Sequence, residues 1–142
     1  MTLHELLERK GTGMITAKAS ISVLEAIETM CTHKVGSLLI ESDDGKLLGI
    51  TTERDILRFC SAQKGDLTGT FIDQAMTQDL LVATPEMSVD EAMSIMTEHR
   101  FRHFPVLEGG KPVGIISIGD LVKAQLKDIT VEVKYLRDFI SA

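Results

Sequence analysis

The chain contains one segment twice, and this internal repeat constrains its fold more than any other feature. SVLEAIETMCTH begins at Ser22, and SVDEAMSIMTEH begins 66 residues later at Ser88. Six of the twelve aligned positions are identical, whereas chance would give about one. Further on, GITTERDIL from Gly49 matches GIISIGDLV from Gly114 at a spacing of 65 residues. The sequence therefore predicts two copies of one structural unit.

Each copy is predicted to have the element order β-α-β-β-α. A short apolar strand leads into a helix whose start carries a Ser and, three residues later, a Glu, the pattern of a capping box. Apolar residues at helical spacing mark the buried face of that helix, and a turn with Asp-Gly or Gly-Gly joins the next two strands. The closing helices start at Glu53 and Ile118. The predicted strands are 14–17, 37–40 and 47–51 in the first copy, and 80–83, 104–107 and 113–116 in the second.

Two such units can cover each other's apolar faces. This predicts a mixed α/β (α+β) fold of two β-α-β-β-α repeats packed face to face in pseudo-two-fold symmetry, with a helix at each terminus. With 142 residues and 44% hydrophobic content, the chain can bury one sizeable core. The polar segment 63–69 is the predicted connector. We expect residues 1–66 to form the first repeat with the N-terminal helix, 67–128 the second repeat, and 129–142 a C-terminal helix.

Both predicted terminal helices carry an apolar stripe. Stripes of this kind generally pack on their own domain, which is the first interpretation. The alternative is a dimer contact. The stripe residues are Leu3, Leu6 and Leu7 before Gly11, and Ile129, Val133, Leu136 and Ile140 at the other end.

Composition argues against several classes of partner. The formal net charge of −6 disfavours nucleic acid, because such binding usually rests on many contacts from Lys and Arg to phosphates. No apolar run approaches the roughly 20 residues that span a bilayer, so no membrane partner is expected. Cys31 and Cys60 lie 29 positions apart without a CxxC pattern or a secretory signal. We therefore expect a cytoplasmic protein without disulfides or zinc fingers.

The candidate ligand site lies where the last strand of each copy runs into its helix. Thr52 and Asp55 stand there in the first copy, and Ser117 and Asp120 in the second. The simplest interpretation is a capping box with no ligand, because this pattern is common at helix starts. A ligand is favoured by the strand that opens directly into the helix, where free N–H groups suit a phosphate. A hydroxyl can donate to phosphate, and a carboxylate can accept both hydroxyls of a ribose. The candidate ligand is therefore a nucleotide.

The segments SVLEAIETM, VGSLLI and GITTERD, followed by SVDEAMSIM, RFRHFPV and GIISIGD, strongly resemble the CBS-domain family, named after cystathionine β-synthase. The resemblance covers residues 14–127. It implies a disc-shaped Bateman module whose two related clefts bind AMP, ADP, ATP, NAD(H) or S-adenosylmethionine, and it implies that modules often dimerise. By this resemblance Thr52 and Ser117 would contact phosphate, and Asp55 and Asp120 the ribose. The residues implied to line the adenine are Ile15, Val35, Gly36, Leu81, Phe101 and Arg102.

The two clefts differ in sequence. Arg54 in the first copy corresponds to Gly119 in the second, whereas Arg102 and His103 replace the Gly-Ser pair at 36–37. The run HRFRH that ends at His103 is a basic cluster on an acidic protein, and its side chains are candidates for pairing with phosphate. The alternative is a solvated strand start. No metal is expected, because the two histidines of this run lack the further ligands that zinc needs.

Three functions are compatible with these patterns. The leading hypothesis is a regulatory module that binds an adenine nucleotide between its repeats and acts on an unidentified partner protein or through its own homodimer. The second is a structural dimerisation module with empty clefts. An enzyme is the weakest hypothesis, because no Ser-His-Asp or Cys-His order is evident. Only His103, if it lies in a cleft, keeps that hypothesis open.

Overall fold

Each half of the chain folds in the predicted order of a helix, a strand hairpin and a closing helix. The computed structural model describes residues 1–141. The helices are α1 (Leu3–Lys10), α2 (Val23–His33), α3 (Glu53–Ala62), α4 (Val89–His99) and α5 (Ile118–Ser141), with a 3-10 helix at Ile72–Gln74. The strands are β1 (Thr16–Lys18), β2 (Ser37–Glu41), β3 (Leu47–Thr52), β4 (His103–Glu108) and β5 (Lys111–Ser117).

The helices α2 and α4 start in the same way. The Ser22 hydroxyl accepts a hydrogen bond from the Glu25 N–H over 3.0 Å, and the Ser88 hydroxyl accepts one from the Glu91 N–H over 3.0 Å. Each hydroxyl thus satisfies one N–H that a helix start leaves without a partner. The returning bond from the Glu side chain, which a full capping box requires, forms in neither helix. Only the Ser half of these two predicted boxes is present.

The two repeats differ in the size of their sheets. In the first repeat β1 pairs parallel with β2, and β2 pairs antiparallel with β3. In the second repeat only the antiparallel pair of β4 and β5 forms. The hairpins lie where the sequence predicts them, while β1 begins two residues later than the predicted strand.

The prediction of a strand at 80–83 is wrong. Only Ala83 makes a bridge to β4. In the first repeat the Leu39 N–H donates to the Ile15 carbonyl over 2.9 Å. The equivalent position in β4 is Pro105, which has no N–H to donate. The parallel ladder therefore stops after a single bridge.

Each repeat completes its core with the segment that precedes the other repeat. The apolar stripe of α1 is buried among residues of α4, β4 and β5, and the Leu3 N–H donates to the Met87 carbonyl over 2.8 Å. Correspondingly, Ile72 of the 3-10 helix is buried in the core of the first repeat, where its N–H donates to the Ile21 carbonyl over 2.9 Å. The two repeats are thereby interlocked.

We call residues 3–12 and 72–77, which pack on the other repeat, the crossing segments. Gly49 lies where the second of them contacts β3. A Cβ at this position would lie 2.8 Å from the carbonyl oxygen of Thr77. The same segment exchanges two backbone hydrogen bonds with Ile50, at 3.0 and 2.8 Å. Glycine is required here because the two backbones approach too closely for a side chain. This contact brings Thr77 beside the start of α3.

The helix α5 is continuous over 24 residues, which corrects the prediction of a separate C-terminal helix from residue 129. After Gly119 the sequence contains neither Gly nor Pro, so nothing ends the helix. Leu121 and Ala124 are buried, but every residue from Leu126 to Ser141 is exposed. The C-terminal stripe therefore does not pack on its own domain, contrary to the first interpretation. Its exposures are 55% for Ile129, 41% for Val133, 50% for Leu136 and 82% for Ile140.

Candidate functional site

A cleft of about 760 Å³ lies between the two repeats. The first repeat contributes the start of α3 and the turn before β2, and the second repeat contributes the segment around Leu81 and the basic run before β4. The structure therefore brings residues from distant parts of the chain to one place. The predicted site residues that line it are Gly36, Thr52, Arg54, Asp55, Leu81, Phe101, Arg102 and His103.

Thr52 and Asp55 form a complete capping box at the start of α3. The Thr52 hydroxyl accepts from the Asp55 N–H over 3.2 Å. Oδ2 of Asp55 accepts from the Thr52 N–H over 2.9 Å and from the Thr52 hydroxyl over 3.1 Å. The other carboxylate oxygen, Oδ1, accepts from the hydroxyl of Thr77 over 3.1 Å. An ionised carboxylate has about four acceptor positions, so Asp55 keeps acceptor capacity beside the cleft while it holds the helix start.

Charged side chains of both signs surround the cleft. Three arginines and three acidic residues line it, namely Arg54, Arg100, Arg102, Glu53, Asp55 and Asp79. The imidazoles of His99 and His103 line it as well. The N-terminus of α3 adds the positive end of a helix dipole. This combination suits a ligand that carries both an anionic group and hydroxyls.

His103 lies between the two helix starts. Burial lowers the pKa of His103 below its ordinary value, and the Arg102 charge acts in the same direction, while Glu53 and Asp120 raise it. The net shift is downward, so the imidazole is neutral at pH 7. A phosphate placed beside it would favour the protonated form.

The start of α5 is the equivalent, in the second repeat, of the start of α3, and we call it the second corner. A lysine from α1 occupies it. The Ser117 N–H donates to Oδ2 of Asp120 over 2.9 Å, and the Asp120 N–H donates to the Ser117 hydroxyl over 3.0 Å. Up to this point the geometry repeats that of Thr52 and Asp55. Here, however, Nζ of Lys10 lies 3.3 Å from Oδ2 of Asp120, and both side chains are mostly buried. The same Nζ lies 2.7 Å from the position that a Cβ at Gly13 would take.

The other predicted site residues lie outside the large cleft. Asp120 lines a smaller cavity of about 180 Å³ between α1 and α5, with Ser117 next to it. Ile15 and Val35 pack against the core of the first repeat. Sequence reasoning missed Thr77, Asp79 and Lys10, because they stand outside the repeated motifs and reach the sites only through the crossing segments.

The described part of the chain holds few groups for other chemistry. Within residues 1–141 no group of three or more His, Cys, Asp or Glu side chains is arranged to hold a metal ion. Cys31 and Cys60 are free thiols, and Cys31 is exposed. None of the helices described over this range combines the length and apolar character needed to cross a membrane.

Comparison with known proteins identifies the repeated unit. The family model named CBS domain matches residues 11–62 and again 72–127. The CBS domain-containing protein CBSX3, mitochondrial, of Arabidopsis thaliana is 32% identical over 147 residues, which cover 98% of this chain and 71% of that protein. The crystal structure of the CBS-domain containing protein ATU1752 from Agrobacterium tumefaciens shows 39% identity and a TM-score of 0.81, over 88% of this chain and 99% of that one.

Two further solved structures are complexes with adenosine compounds. CBSX2 in complex with AMP has a TM-score of 0.69 and 27% identity, over 82% of this chain and 90% of that one. The CBS domain pair of protein MJ0100, in complex with 5′-methylthioadenosine and S-adenosyl-L-methionine, has a TM-score of 0.79 and 26% identity, over 90% and 98% of the two chains.

Fold and matches together define a tandem-repeat module with a cleft between its two copies. The chain belongs to the CBS-domain family, and it carries two CBS repeats. The predicted family and fold class are confirmed.

Proposed function

We propose that this chain is a regulatory module that binds a phosphate-bearing adenosine nucleotide in the cleft between its CBS repeats. The observation that carries the proposal is the convergence, around one cleft of about 760 Å³, of three carboxylates, three arginines and two histidines contributed by both repeats. The volume falls within the roughly 300–1,000 Å³ of small-molecule sites. The AMP and S-adenosyl-L-methionine complexes of similar structures support an adenosine ligand.

The residues of the cleft suit the parts of a nucleotide. Asp55 accepts three hydrogen bonds within the protein, so about one of its four acceptor positions is left for a ribose hydroxyl. Arg54 lies with the N-terminus of α3, where a phosphate is stabilised. Phe101 and Leu81 offer apolar surface to the base. The Leu39 N–H donates to the Ile15 carbonyl in the first repeat, but Pro105 has no N–H to donate to the Leu81 carbonyl at the equivalent position. The Leu81 carbonyl is therefore available to accept from the amino group of adenine.

The basic residues discriminate among adenosine ligands. Arg54, Arg100 and Arg102 line the cleft together with two histidines. Cationic side chains bind phosphate through charge-assisted hydrogen bonds, whereas S-adenosylmethionine carries a positive sulfonium. We therefore expect AMP, ADP, ATP or NAD(H) to bind more tightly than S-adenosylmethionine.

The second corner is proposed to be closed. Asp120 is paired with Lys10 at 3.3 Å, and a ribose would have to displace this ammonium group. The proposed stoichiometry is thus one nucleotide per chain.

Regulation follows from the position of the cleft. A ligand that contacts both repeats stabilises the arrangement in which they face each other, and this differential affinity can shift a conformational equilibrium. The proposed output is altered contact with a partner protein, without turnover of the nucleotide. The free thiols of Cys31 and Cys60 fit a reducing compartment such as the cytosol. A structural module with empty clefts is the competing hypothesis.

Isothermal titration calorimetry tests the proposal on the full chain, with AMP, ATP, NAD⁺ and S-adenosylmethionine as ligands. We expect saturable binding of AMP or ATP with one site per chain, and a rise in melting temperature, because ligand at about 100 times Kd adds about 2.7 kcal/mol to the stability. GMP is the matched control, since its base lacks the 6-amino group. Absence of heat and of a thermal shift with every adenosine ligand at millimolar concentration would support the structural module instead.

A further inference from the structure

The second half of α5 extends away from the module without a covering surface. The last buried residue of this helix is Ala124, and the 15 residues from Lys127 to Ser141 span roughly 22 Å at about 1.5 Å per residue. An isolated helix of this length is marginal in water, because helices in proteins are stabilised mainly by packing of an apolar face. The helix is continuous, so this half cannot fold back onto its own repeats.

Six apolar residues on α5 follow one another at alternating spacings of four and three residues. All of them are exposed by 41 to 82%. A spacing of three and four residues is the seam by which two helices pack as a coiled coil. We call this set the α5 seam, and its residues are Val122, Leu126, Ile129, Val133, Leu136 and Ile140.

The geometry points to a second copy of this chain as the occupant of the seam. We propose that two chains associate through a parallel, in-register coiled coil formed by the second half of α5. In the heptad that places Val133 and Ile140 at positions a and Leu136 at position d, the C-terminal end of the seam has β-branched residues at a and Leu at d, the arrangement that favours two strands. In the preceding heptad Leu126 occupies position a and Ile129 position d.

Charge complementarity sets the orientation. Glu132 occupies position g and Arg137 position e of the following heptad, so in a parallel pair each Glu132 faces the partner's Arg137, five residues further on. This gives two ion pairs across the seam. An antiparallel pair would place g opposite g and e opposite e, which brings like charges together. Within the chain as described, neither Glu132 nor Arg137 forms an ion pair of its own.

The inference is independent of the proposed nucleotide site, because no residue of the α5 seam lines the large cleft. The terminal stripes also give an internal contrast. The stripe of α1 is buried by its own module, whereas that of α5 has no such cover. Only the latter is left for a partner.

Charge reversal at the seam tests the partner and the orientation together. Sedimentation velocity of the wild-type chain at about 50 μM is expected to show a dimer. Glu132→Arg places like charges opposite each other twice, and we expect the dimer to weaken at least tenfold. Glu132→Arg combined with Arg137→Glu restores the complementary pairs and is expected to restore the dimer. Circular dichroism and a cooperative thermal unfolding transition confirm that each variant is folded.

The matched control lies on the opposite face of the same helix. Val131 and Tyr135 are exposed by 62% and 69%, so Val131→Ala with Tyr135→Ala removes comparable apolar surface outside the seam. This variant is expected to remain dimeric. The proposal would be overturned if this control dissociated while Glu132→Arg remained a dimer. It would also be overturned if the wild-type protein sedimented with the mass of one, three or four chains.

A cross-link distinguishes the two orientations directly. In a chain with Cys31→Ser and Cys60→Ser, the substitution Ile140→Cys places the single thiols of a parallel pair side by side. Mild oxidation is expected to give a covalent dimer on a non-reducing gel. An antiparallel pair holds these positions at opposite ends, and a dimer by sedimentation that yields no covalent product would exclude the parallel arrangement.

Discussion

At the first cleft Asp55 accepts a hydrogen bond from the neutral hydroxyl of Thr77, and at the second corner Asp120 is paired with the ammonium group of Lys10. Both aspartates hold their own helix start in the same way. The difference arises from the segment that crosses over from the other repeat. Equal motifs in a duplicated fold therefore do not give equal ligand sites, because residues outside the motif decide what faces the carboxylate.

The two crossing segments nevertheless share one backbone hydrogen bond to the sheet that each contacts. The Thr77 carbonyl accepts from the Ile50 N–H over 3.0 Å, and the Thr12 carbonyl accepts from the Ile115 N–H over 2.9 Å. What differs is the preceding element, a 3-10 helix of three residues in one case and the helix α1 in the other. The longer helix brings Lys10 to the carboxylate.

The largest expected effect separates the two aspartates. We expect Asp55→Ala to weaken AMP binding about 10- to 100-fold, since hydrogen bonds to a charged group contribute about 1.5–3 kcal/mol. Asp120→Ala is expected to change the affinity less than about twofold, although both variants lose part of a helix cap, at a cost of about 1 kcal/mol. Calorimetric titration measures the affinities and urea unfolding the stabilities. Equal losses of affinity would show that both clefts bind.

Removal of the lysine is expected to open the second corner. In Lys10→Met the carboxylate of Asp120 is released, so the AMP stoichiometry should rise from about one to about two per chain. The matched control is Lys46→Met, which removes an exposed lysine that lies 3.9 Å from Asp44, and it should leave the stoichiometry unchanged. Calorimetry at saturating AMP provides the measurement. If Lys10→Met still binds one nucleotide, closure of the corner by Lys10 is not the reason for the asymmetry.

His103 is expected to make the stability of the fold depend on pH. Its pKa in the folded state is lowered mainly by burial, so the unfolded chain takes up this proton first as the pH falls. The associated stability is fully present above the ordinary histidine pKa and is lost below it. Urea unfolding from pH 8 to 5.5 should show a smaller loss of stability in His103→Gln than in the wild type. Identical pH profiles would mean that His103 does not contribute.

AMP binding should respond to the same proton in the opposite sense. A phosphate beside His103 favours its charged form, so the affinity of the wild type relative to His103→Gln should increase by a few fold between pH 7.5 and 5.5. The ratio of the two affinities cancels the titration of the phosphate itself. A constant ratio would place the phosphate away from this side chain.

The smallest effect concerns the strands that lead to the two corners. Within the described chain the buried hydroxyl of Thr51 has no hydrogen-bond partner, whereas the equivalent position in β5 is Ile116. We expect Thr51→Val to stabilise the fold by about 1 kcal/mol, because an unsatisfied buried hydroxyl is removed without a change of shape. Thr52→Val, which deletes the cap, should destabilise it by about 1 kcal/mol. Urea midpoints measure both, and a destabilised Thr51→Val would indicate that its hydroxyl has a partner.

Much of the fold could be predicted because the relevant interactions are local. The Ser and Thr residues at helix starts bond to N–H groups three residues away, and the hairpins follow from short turns. Two of the errors also had local signals. Pro105 cannot support a strand at 80–83, and the sequence after Gly119 contains no residue that would end α5.

The sequence by itself determined the duplication, the helix starts and the residues from which a ligand site could be built. Only the tertiary structure decided which of these residues meet. Lys10 and Asp120 are 110 positions apart in the sequence. They pair because α1 packs on the second repeat and not on the first repeat, which directly follows it in the sequence. Local patterns extend over about one helical turn, whereas the contacts of a carboxylate in a cleft depend on which apolar faces bury each other, and that choice is made by the chain as a whole.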